Sequence, residues 1–167
     1  VPLLHDSEVE AYLLNMGVEP ARAAKITQLA EGNLNLAIGL IDREEDNNTQ
    51  LFIEWMRACF ARKYGSLVTM AEEFHGVDKL SQRNLLIYSM NMMRESLLYL
   101  SDAKNMNRTR GDELDFIQRF SSTLTLDKVE KSFTLLNEAL YHLERNGSAK
   151  MIFLDLSLNI SKAFNQA

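Results

Sequence analysis

The sequence predicts an all-α protein, a small three-helix unit followed by a larger helical bundle. Three observations carry that prediction. The 167 residues include only 2 prolines and 7 glycines, too few breakers for the many tight turns of a β-sandwich or barrel. Leu126, Val129, Phe133, Leu136, Leu140 and Leu143 alternate steps of three and four, the spacing that lines up on one side of a helix. The opening of the chain consists of short runs of helix formers between glycine stops, and longer apolar periodicities follow.

The first residues, Val1-Pro2-Leu3-Leu4, are apolar and read as extended, without an initiator methionine. They read as the end of a strand from a preceding domain, so the sequence is expected to be a piece of a longer chain. Ser7 and Glu10 have the spacing of a capping box, opening a short helix that Gly17 ends. Pro20 sits where a first-turn proline belongs, Ala21 to Ala30 are strong helix formers, and Gly32 stops them. Asn33 then caps a third helix running to about Asp42. These three helices define an N-terminal unit at 1–44, with too few apolar residues to stand alone. Arg43 to Thr49 (Arg-Glu-Glu-Asp-Asn-Asn-Thr) is polar and reads as a linker into a second domain at 45–167.

In that domain the helices lengthen. Residues 49–63 place Leu51, Phe52, Trp55, Met56, Cys59 and Phe60 at helical spacing, and a shorter helix covers about 66–75. The next, about 78–103, sets Leu86, Met90, Met93, Leu97 and Leu100 on one side. Asn105 to Gly111 reads as a loop, followed by helices at 112–123 and 126–145. The last element has two readings. Leu154, Leu156, Leu158 and Ile160 alternate with Asp155, Ser157 and Asn159, a strand's period. As a helix, 149–164 is apolar nearly all round and belongs at the centre of a bundle. A lone strand among helices has nothing to pair with, so helix is expected.

Composition narrows the function. The net charge of −5 argues against a surface dedicated to nucleic-acid phosphates. Lys104, Arg108 and Arg110 form a small basic loop, ordinarily just solvated, with a phosphate contact as the alternative. Cys59 is the only cysteine, which excludes a disulfide framework or a cysteine zinc site and fits a reducing cytosol. It lies in an apolar helical run, so core is the expected role and not nucleophile. No apolar run approaches the roughly 20 residues of a membrane helix. Glu72 and His75 have the three-residue spacing of half a di-iron site, but Glu138 and His142 are four apart and supply no second copy. His75 beside Gly76 is better read as a helix end favoured by the dipole. There is no Walker pattern, no G-x-G-x-x-G and no G-x-S-x-G. No catalytic residue, cofactor or metal is therefore expected, and no small-molecule substrate.

The bundle carries more apolar residues than one seam requires. Met90 and Met93 lie on the seam, whereas Met92 points elsewhere, and the run from Met151 to Ile160 is nearly continuous. Surplus apolar surface marks protein interfaces, so Met92, Met151, Phe153, Leu156 and Ile160 are the candidate partner-facing residues.

Two segments go further. Leu29 to Ala37 (Leu-Ala-Glu-Gly-Asn-Leu-Asn-Leu-Ala) resembles the helix–Gly–helix step in the lid domain of AAA+ clamp-loader ATPases. Active subunits of that family typically carry an arginine three residues after the glycine; Asn35 stands there, and an amide cannot supply a cation to phosphate. Tyr141 to Lys150 (Tyr-His-Leu-Glu-Arg-Asn-Gly-Ser-Ala-Lys), with the apolar run after it, is similar to the join between the last two collar helices of the same family. The two segments lie near the two ends of the chain, so the resemblance spans most of it. It implies lid plus collar of a bacterial DNA polymerase III clamp-loader subunit, without its nucleotide-binding domain. The missing arginine points to the delta prime branch, the one that typically does not hydrolyse ATP, ahead of gamma/tau. The implied role is cytoplasmic and structural: the collar would join gamma/tau and delta chains in the loader that places the sliding clamp on DNA, with any DNA contact indirect. The residues alone also admit a free-standing helical adaptor unrelated to replication, and behind it an enzyme through Glu72 and His75.

Overall fold

The computed structural model describes residues 3–101 and 111–166, with 42–46 and 112 described by their backbone alone. Every regular element among these is α-helical: α1 (Asp6–Asn15), α2 (Pro20–Ala30), α3 (Leu34–Phe60), α4 (Tyr64–Gly76), α5 (Lys79–Leu100), α6 (Asp112–Ser122), α7 (Leu126–Glu144) and α8 (Ala149–Asn165). None is long and apolar enough to cross a membrane. The chain divides into two compact units, Val1–Asn48 and Thr49–Ala167.

The expected linker is the first correction. Arg43 to Thr49 is helical, because α3 runs unbroken from Leu34 to Phe60. Polarity alone does not break a helix; none of these residues is proline or glycine, and arginine and glutamate are good helix formers. The division between the two compact units falls inside this helix, at Asn48 and Thr49.

In the first unit α1, α2 and the start of α3 bury Val9, Leu13, Ala23, Ile26, Ala30, Ala37 and Ile41. The capping box is shifted from its expected place. His5 is the N-cap of α1, and its backbone N–H donates to Glu8 Oε2 at 2.9 Å. Pro20 opens α2, and Asn33 Oδ1 accepts from the N–H of Leu36 at 3.1 Å at the start of α3. Between them Glu31 and Gly32 both take positive φ, at 48° and 83°. Gly32 has a second constraint: the Leu4 N–H donates to its carbonyl at 2.9 Å, and a Cβ there would run into the Leu4 carbonyl oxygen. Only glycine meets both demands.

In the second unit α5 packs on α6 and α7, while α8 packs on α4 and α7. The ambiguous last element is a helix, and its serines explain the alternation. Ser157 and Ser161 are buried toward the second half of α3. Trp55 Nε1–H donates to Ser157 Oγ at 2.8 Å, and Ser161 Oγ donates to the Cys59 carbonyl at 2.6 Å. That carbonyl belongs to the last turn of α3 and also accepts the Arg62 N–H at 3.3 Å, so α8 adds a side-chain cap to the end of α3. Small polar residues at positions 157 and 161 thus mark close helix contact, not a solvent face. Aromatic rings fill the rest: Trp55 and Phe74 stack on Phe153 at 4.6 and 4.7 Å between ring centroids.

The turn from α7 to α8 is built locally. Asn146 adopts φ 62°, the Gly147 N–H donates to the His142 carbonyl at 3.1 Å, and Ser148 is the N-cap of α8. Lys79 Nζ donates to Asn146 Oδ1 at 2.6 Å, tying this turn to the start of α5.

Candidate partner interface

Of the five residues expected to face a partner, the structure leaves one outside. Met92, Phe153, Leu156 and Ile160 are 2%, 3%, 3% and 0% exposed, whereas Met151 is 61% exposed. The surplus of apolar residues is taken up within the unit. α8 is enclosed by α3, α4 and α7, so it needs apolar residues on nearly all sides; Met92 belongs to the same buried cluster.

The other singled-out residues fall as follows. Asn35 is exposed in the first turn of α3. Glu72 is exposed and faces Lys150 Nζ of α8 at 3.6 Å, and His75 is exposed in the last turn of α4. Among the described residues no group of three histidine, cysteine, aspartate or glutamate side chains is gathered as a metal would require. With Glu72 facing Lys150 and His75 at a helix end, elemental analysis of the purified protein is expected to give no stoichiometric iron, manganese or zinc. About one metal per chain, lost in His75→Ala, would reverse that reading. Cys59 is fully buried, with Sγ donating to the Ser157 carbonyl at 3.6 Å. Lys104, Arg108 and Arg110 lie outside the described residues.

The exposed feature that the sequence did not single out is a groove between the last turns of α3 and α6, about 590 Å³ in volume. Met56, Phe116 and Phe120 form its apolar lining, Phe60 stands 43% exposed beside them, and Arg57 and Arg119 line it as well. Packing fixes the floor. Phe116 stacks on Phe120 at 5.2 Å, Phe52 meets Phe116 edge-on at 5.8 Å, and Phe164 of α8 meets Phe120 edge-on at 5.8 Å. Asp115 adds one carboxylate to the lining. Among the described residues neither arginine has an ion pair. Arginine and aromatic residues, the types that line this groove, are also those enriched at protein interfaces. The signal in the sequence was Phe116 and Phe120 one turn apart with Arg119 adjacent, but that pattern looks the same for a core helix.

Comparison of the chain with protein-family models, with curated proteins and with solved structures gives no match.

Proposed function

We propose that this chain is a structural, assembly-mediating part of a clamp-loader subunit, a lid-like unit and a collar whose task is to hold partner chains together. The observation that carries the reading is its division into a small and a larger helical unit, with each of the two resembling segments at a helix junction of its own unit. Leu29 to Ala37 spans the α2–Gly32–α3 turn, and Tyr141 to Lys150 spans the α7–α8 turn. Asn35 on the first turn of α3 leaves the lid without a cation for a nucleotide, which favours the delta prime branch over gamma/tau. An exposed groove with an apolar floor gives the larger unit a surface on which a partner could be held.

Assembly should need no nucleotide. Collar contacts in a ring join unlike faces of neighbouring chains, so the chain alone is expected to be monomeric or weakly self-associating. Mixed at tens of micromolar with gamma/tau and delta chains of the same organism, it should co-elute with them in size-exclusion chromatography without ATP. Unchanged elution beside those chains would remove the clamp-loader reading and leave the free-standing adaptor in its place.

A further inference from the structure

From the groove between α3 and α6 we infer that the larger unit docks an amphipathic helix of a partner chain, one carrying acidic residues beside its apolar stripe. The inference rests on the reading of this unit as a partner-binding module and adds the chemistry of the partner segment. Three features of the groove select that occupant. The first is its length. The lining on α3 runs from Ile53 to Phe60, about 10 Å at 1.5 Å per residue, the span of the i, i+3 or i+4, i+7 anchors with which a helix enters a groove. The second is the lining itself. Met56 and Phe120 are 1% and 8% exposed and already packed, whereas Phe60 at 43% has a face free to meet an incoming side chain. Both walls are helices, so there is no strand edge for an extended peptide to join.

The third is charge. The protein carries −5 overall, yet Arg57 and Arg119 both line this groove, with Asp115 the one acidic residue there among the described residues. Each arginine stands in the last turn of its helix, where the macrodipole favours a cation. That accounts for either one separately. It does not account for both lining one apolar groove without an ion pair among the described residues. Carboxylates on the partner helix would answer them with charge-assisted, bidentate hydrogen bonds, and a partner helix with lysines there would meet repulsion. Nucleic-acid phosphate could also answer two arginines, but it has no use for an apolar floor, and the charge of the whole chain repels it.

Fluorescence anisotropy with the full chain tests this. The probes are a labelled helical peptide with leucines at i, i+3, i+4 and i+7 flanked by glutamates, its counterpart with lysines, and a single-stranded oligothymidine. The glutamate peptide should bind at least about tenfold more tightly than the lysine peptide, and less tightly as salt is raised. The charge swap Arg57→Glu with Arg119→Glu should invert that preference. Both residues are exposed, so the fold should tolerate the change, as circular dichroism will show. Ala61→Trp, which fills the groove, should weaken both peptides. Equal binding of the two peptides, no binding of either at 100 μM (about −5 kcal/mol), a preference unmoved by the swap, or displacement of the peptide by oligothymidine would each overturn the inference. A chain that assembles with its partners but fails here loses the groove alone. A chain that binds the glutamate peptide but assembles with nothing loses the clamp-loader reading alone.

Discussion

Phe153→Ala is expected to destabilise the larger unit by about 3–5 kcal/mol, while Met151→Ala, two positions away, should change stability by no more than about 0.5 kcal/mol. Phe153 is 3% exposed and sandwiched by the rings of Trp55 and Phe74. Truncating it removes the transfer energy of the ring and leaves a cavity between α3, α4 and α8, which three rigid helices cannot easily collapse. Met151 is 61% exposed and has little burial to lose. Trp55 is the only tryptophan and lies in the larger unit, so its fluorescence during urea unfolding follows that unit and not the other. The midpoint should fall in Phe153→Ala at unchanged slope. The substitution also alters the surroundings of Trp55, so baselines will differ, but the midpoint does not depend on them. If Phe153→Ala were neutral, or if both variants lost equally, α8 would present a different side to solvent. Phe153, Leu156 and Ile160 would then return to the partner surface.

Helix existence was legible because its signals are local. Gly17, Pro20, Gly32 and Asn33 act on the backbone within a turn of themselves, and each stands where a helix begins or ends. The segment Arg43 to Thr49 was misread for a related reason. Polarity does not by itself fix backbone conformation, and here the polar residues simply continue α3. The partner residues failed differently. A helix apolar all round can lie at the centre of a bundle or carry spare surface, and only the number of neighbours decides. α8 has three, which consumed Phe153, Leu156 and Ile160 and even buried Ser157 and Ser161. The groove could not be read at all. Phe116 and Phe120 form a core-like pair on their own helix, and what makes them a groove floor is the approach of α3, far away in sequence.

Cys59 gives the other large effect, and it separates a core thiol from a nucleophile. Burial removes the thiolate's hydration and pushes its pKa from the ordinary 9.0 up to about 12. At pH 8 the thiolate is the species that attacks iodoacetamide, and three pH units cut its population about a thousandfold. Native protein should therefore be alkylated about a thousandfold more slowly than a small free thiol, and more slowly still to the extent that the packing around Sγ excludes the reagent. Urea below the unfolding midpoint should raise the rate, since reaction then proceeds through opened molecules. The same displacement makes stability depend on pH in one direction. An unfolded chain releases this proton near 9, whereas the folded one holds it until about 12. The contribution is intact below pH 9 and declines as pH rises through that interval, by up to about 1.4 kcal/mol per pH unit. Lysines and tyrosines titrate there too, so the measurement is the difference between the parent and Cys59→Ala in urea midpoints from pH 8 to 10.5. The parent should lose stability more steeply than the variant above pH 9. Parallel pH profiles, or alkylation at the rate of a free thiol with no urea dependence, would place Cys59 in contact with solvent and reopen a reactive role for it.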